Sequence, residues 1–151
     1  MQNATDFFQA PTNPDQHSAP RIADEAEACA AVLVACLRSS DLYGITENAA
    51  FFTTIQSRNI FRGRDANALV ASAEQYLEQA GSPAALIDSA MGPIREQTRL
   101  PLFYHCLDCI LADGIVTPQE HKIFLYLKTK FKVADETAWT ALDVLVAKNK
   151  L

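Results

Sequence analysis

The stretch "LADGIVTPQEHKIFLYLKTKF", Leu111–Phe131, decides the fold. An apolar helical run ends at Asp113, and Gly114 offers the left-handed backbone that closes a helix. Thr117-Pro118-Gln119-Glu120 then reads as a capping box, with Pro118 at the first helical position. At 100° per residue Phe124, Leu127 and Phe131 form one apolar stripe, and Glu120 lies on it. The segment is a helical hairpin whose two carboxylates, Asp113 and Glu120, flank the turn on its inward side.

Outward from this hairpin the pattern stays helical, without long β-branched alternation. The reading places helices from about Ala23 to Ser40 and, after a turn at "DLYGI", from Thr46 to Ile60. Asp65 caps a third helix that runs to Ala80 and stops at Gly81. Ser82-Pro83 starts a fourth, broken at Gly92-Pro93. Pro101 opens a helix reaching Asp113, Thr117-Pro118 opens one ending near Lys132, and Asp135 caps the last, to Lys148. The expected class is all-α, about seven helices with antiparallel neighbours. Residues 1–21 read as a flexible arm in which Phe7 and Phe8 can dock, and residues 22–151 as a single domain.

Sliding the chain by ~72 residues superposes two hairpins without a gap, a self-similarity of the kind repeats leave. Asp41 falls on Asp113, Asn48 on Glu120, Glu47 on Gln119, Phe51 on Ile123, Phe52 on Phe124 and Ile55 on Leu127. This predicts two pseudo-symmetric hairpins. On the second, Leu102, Phe103, Cys106, Cys109 and Ile110 form an apolar arc that includes Asp113, while His105 and Asp108 point away. On the first, Asp41 lies among Leu33, Val34 and Leu37, and Asn48 lies on the stripe of Phe51, Phe52 and Ile55. Glu47 lies off it.

The capping box explains Glu120 without a ligand. Asp41 and Asp113 are harder to explain, because an anion in the last turn of a helix opposes the dipole. An inward carboxylate also needs a partner, either a cation or basic and amide groups of the protein. An EF-hand is excluded, since counting twelve from Asp113 ends on Phe124. A site would be shared between hairpins, with oxygen ligands Asp41, Asn48, Asp113 and Glu120, and Glu47 and Asp108 in reserve. Such donors favour calcium, magnesium or manganese over zinc.

Composition narrows the classes. The chain has 151 residues, 49% hydrophobic and 21% charged, with formal net charge -5 and pI near 5.1. That balance argues against a general nucleic-acid surface. Lys122, Lys128, Lys130 and Lys132 form a local basic stripe, read as a solvated helix face. No apolar run reaches the ~20 residues of a membrane span, and no leader pattern stands at the N-terminus, which places the chain in the cytoplasm with its thiols reduced. "HCLDC", His105–Cys109, has no second cluster to complete a zinc site. No Gly-rich phosphate loop and no converging nucleophile and base appear, so the chain reads as non-enzymatic. Trp139 and Phe103 are read as exposed apolar area for an oligomer.

The Ala-Asp-Gly-x-x-Thr-x-x-Glu run of Ala112–Glu120 resembles the hairpin of the TerB-like family, the tellurite-resistance protein B group, over roughly Ala26 to Lys148. The resemblance implies a small all-helical protein in which acidic residues of two hairpins form a divalent-metal site. It also implies a role in tellurite or other stress resistance within a complex of other proteins. Related domains occur in some membrane-anchored J-domain co-chaperones. Asp113 and Glu120 match the motif's acids, and Asp41 matches in the first hairpin. There "DLYGIT" replaces Asp-Gly and Asn48 stands where Glu is expected, leaving one carboxylate fewer. A metal-free protein-interaction module is the alternative.

Overall fold

A computed structural model describes residues 7–8, 17–39, 45–111 and 114–151, with backbone alone over 45–50. The described residues form seven α-helices and no strand: α1 (Glu25–Arg38), α2 (Ile45–Ser57), α3 (Ala66–Ala80), α4 (Pro83–Ala90), α5 (Glu96–Ile110), α6 (Pro118–Lys130) and α7 (Asp135–Lys148). A 3-10 turn, Asn59–Phe61, follows α2.

The central helix is α1. It is buried all round from Ala28 to Leu37, as a helix apolar on every face must be. Its many Ala and Cys side chains let α3, α4 and α5 approach closely. Asp24 caps its start, accepting a hydrogen bond from the Glu27 N–H at 2.9 Å; such a cap contributes about 1 kcal/mol.

The direction of α5 against α1 matters most for the site. At one end the Arg95 N–H and Nε donate to the two oxygens of Glu25, at 2.8 and 3.0 Å. About three turns along both helices, the thiols of Cys36 and Cys106 hydrogen-bond. The two helices therefore run parallel and end at the same end of the molecule.

Caps foreseen from sequence are present at Asp65, Ser82 and Thr117, each side-chain oxygen accepting from the amide three residues on. Gly81 ends α3 at φ +93°. Four boundaries differ: α2 ends at Ser57 instead of Ile60, α5 ends at Ile110 short of Asp113, and two starts are displaced. Helix α5 starts at Glu96, and Pro101 lies inside it. Proline forfeits only one i→i−4 bond, here to the Gln97 carbonyl, and the buried face beyond it holds the helix together. Asp135 is not the cap of α7 but its first residue, with Ala134 at the cap; its carboxylate pairs with Lys128 and meets the positive end of the dipole.

Burial corrects two further readings. Phe103 is fully buried, in contact with Phe124 and Phe131, and offers no oligomer surface. Phe52 is exposed, whereas Phe51 and Ile55 are buried, so the α2 stripe is narrower than its apolar residues suggest. Phe7 docks on the body: it is buried, its ring meets Tyr126 edge-on at 5.2 Å, and its carbonyl accepts from the Ala84 N–H at the start of α4. Ser18 binds the end of α3 through Gln79. Among the described residues no helix is long and apolar enough to cross a membrane.

Candidate functional site

The α5–α6 turn is built by three elements. Leu111 ends α5, Gly114 adopts φ +75°, and the C-terminal end of α7 closes over both. Asn149 Nδ2 donates to the Leu111 carbonyl at 2.9 Å, one of the carbonyls that a helix end leaves without an internal partner. A Cβ on residue 114 would stand 2.8 Å from the Asn149 carbonyl oxygen, so glycine is required by space as well as by backbone angle. Lys148 Nζ bonds Asp108 Oδ1 at 3.1 Å. A lysine beside the last turn of α5 meets the negative end of its dipole.

Glu120 is buried at the start of α6. Its Oε1 accepts from the Thr117 N–H at 3.0 Å while its own N–H donates to Thr117 Oγ1 at 3.1 Å, a complete capping box. Asp41 and Asp113 lie outside the described residues. Glu47 and Asn48 lie in α2, where backbone alone is described. Asp108, the reserve candidate on α5, is engaged by Lys148. Among the described residues no group of three or more His, Cys, Asp or Glu side chains is arranged to hold a metal ion.

The four cysteines are free and buried. Burial, then the Glu25 charge, pushes the Cys29 thiol up to about 12, and burial with the Cys36 hydrogen bond raises Cys106 as well. Neither is a ready thiolate at neutral pH. His105 is half-buried, its Nδ1 3.4 Å from Thr54 Oγ1. Burial, then the Arg58 charge, holds its imidazole below the ordinary range, against an opposing pull from Asp108. His121 is exposed beside Trp139 and Phe124. The lysine stripe is divided: Lys128 pairs with Asp135 and Lys130 with Asp88, while Lys122 and Lys132 are exposed.

Sequence reading missed Asn149 and Lys148 as parts of this turn. They lie far along the chain, and no spacing links an α7 terminus to an α5 terminus; only packing does. No family model, curated protein or solved structure matches the chain.

Proposed function

We propose that the chain is a non-enzymatic helical binding protein of the TerB-like, stress-resistance type, whose two hairpin turns jointly hold a divalent cation. One observation carries the reading: α1 and α5 run parallel, so the segments leading to Asp41 and to Asp113 leave the core at the same end. Two helix C-termini side by side add negative potential there, which favours a cation. The residues that would hold it are Asp41, Asn48, Asp113 and Glu120, a hard oxygen set that suits calcium, magnesium or manganese. Its chemistry is that of a cross-link between hairpins, with no reaction performed. The pseudo-twofold relation of the hairpins belongs to the same reading, as does a role among partner proteins of a stress-response complex in the cytoplasm.

The test is thermal unfolding and calorimetric titration with calcium, magnesium, manganese and zinc against a chelator. A saturable rise in Tm with a hard cation, lost in Asp113→Asn, is expected. Glu120→Gln is the sharper variant. The amide keeps an oxygen for the capping box, so metal-free stability holds while the metal response weakens. No shift with any ion overturns the metal reading.

The second reading, a metal-free interaction module, is favoured by α7. Lys148 and Asn149 already serve the end of α5, and Tyr104 and Val144 leave an apolar groove between α5 and α7 open to solvent. A partner captured equally by the native chain and by an Asp113→Ala, Glu120→Ala double variant supports it.

A further inference from the structure

A separate cleft of about 530 Å³ opens where the first turns of α5 face the end of α2 and the 3-10 turn. That volume is in the range of small-molecule sites, which combine apolar walls with a few convergent polar groups. Here Leu33, Ile60, Phe61 and Leu102 supply apolar wall, while Thr54, Arg58 and His105 supply polar atoms, the Thr98 side chain being engaged by Glu25.

The charges on these walls are unequal. Arg95 also lines the cleft, but it is spent on Glu25, which sits behind that wall and takes two bonds from it. Arg58 has no ion pair among the described residues, and it lies close enough to His105 to depress the ring's basicity. His105 is therefore uncharged at neutral pH and contributes a hydrogen-bonding nitrogen, not a second cation. Pro101 has no N–H, so the Gln97 carbonyl on the same wall lacks its helical donor. One uncompensated guanidinium over an apolar cavity suits a single negative charge carrying a hydrocarbon body. Glu25 behind the wall disfavours a dianion such as phosphate.

We propose that this cleft between α2 and α5 binds a small amphipathic monocarboxylate, its head on Arg58 with Thr54 and His105 alongside and its tail against Leu33, Phe61 and Leu102. Guanidinium and carboxylate match in planar geometry, and a charge-assisted bond of this kind is worth more than a neutral one. None of the residues that line the cleft is a candidate cation ligand at the turn of Gly114 and Glu120.

Titration of the full chain by calorimetry and by methyl NMR shifts tests it, with sodium octanoate, 1-octanol and inorganic phosphate as probes. Saturable octanoate binding is expected, with shifts confined to Leu33, Ile60 and Leu102. Octanol, equal in length but uncharged, should bind at least about tenfold more weakly, as should octanoate to Arg58→Gln. Arg58 is exposed, so that variant should fold, and Lys122→Gln on α6 serves as a control that retains native affinity. Absence of saturation with octanoate, equal binding of octanol, or an Arg58→Gln variant of native affinity would each overturn the proposal. Phosphate binding as tight as octanoate would overturn it too, by showing that the tail contributes nothing.

Discussion

Lys132 is the one non-glycine residue with positive φ among the described residues, at 55°. It follows the last turn of α6, where its N–H donates to the Thr129 carbonyl and the Val133 N–H to the Lys128 carbonyl. That bond pair is the usual left-handed helix stop, a position that favours glycine. An L-residue there is strained by about 1–2 kcal/mol, and part of that is offset because glycine costs more entropy to fold. Lys132 is exposed and has no ion pair among the described residues. Lys132→Gly should therefore stabilise the fold by about 0.5 kcal/mol, read as a rise in urea midpoint with unchanged slope. A fall would mean that the lysine stem packs more productively than its exposure implies. Gly114 is the converse case. Alanine there meets both a positive φ and the Asn149 carbonyl, and Gly114→Ala should cost about 2 kcal/mol or more. Sequence showed the left-handed backbone at Gly114 through its Asp-Gly pair, although α5 already ends at Ile110, and gave no such sign at Lys132.

Between elements, the contacts that organise the molecule join residues far apart in sequence. The Tyr126 hydroxyl on α6 lies 2.9 Å from the Ala84 carbonyl and 2.6 Å from Asp88 Oδ1, both on α4 and sharing its one proton, and Lys130 pairs with the same Asp88. Phe7 completes this seam, covering the Tyr126 ring and the start of α4. Phe7→Ala removes a fully buried aromatic, for which about 3 kcal/mol is the expected cost. Proteolysis at residues 7–8 should quicken in parallel. If stability is unchanged, Phe7 does not hold this seam in solution. Helices α3, α4 and α6 were legible because each start carries its own signal, from Asp65, Ser82 and Thr117. The start of α5 was not. Pro101 resembles a helix opening, and only the shared burial of Leu102, Phe103 and Cys106 shows that the helix continues through it. The inward side of Glu120 was legible from 3.6-residue periodicity. The approach of Asn149 to Leu111 was not, since pattern carries no information about which termini meet.

At the scale of the whole molecule, ionisable groups set a pH window for stability. Asp24 is held below the usual carboxylate range, first by its bond from the Glu27 N–H and with help from Arg64. Glu25 is also lowered: burial alone would raise it, but bonds from Arg95 and Thr98 outweigh that. His105 lies below its ordinary 6.5 because burial, then Arg58, disfavours the imidazolium. In all three the unfolded chain binds protons more readily than the folded one. Their stabilisation is present above the ordinary value and lost as pH falls through the folded one. At the alkaline side the signs reverse. Cys29, raised from 9.0 to about 12, and Tyr76 and Tyr126, raised above 10.0, hold their protons in the fold. Stability is complete below their ordinary values and declines as pH climbs toward the folded ones. Tm should therefore plateau between about pH 7 and 9 and fall on both sides. The acid limb should have two stages, an imidazole stage beginning near pH 6.5 and a carboxylate stage beginning near pH 4.5. His105→Gln keeps a polar group near Thr54 but cannot titrate, so its Tm should stay level between pH 6.5 and 5 while the carboxylate stage persists. A variant that follows the native curve through that interval would show that His105 is hydrated in solution, and would remove the uncharged imidazole from the wall of the α2–α5 cleft.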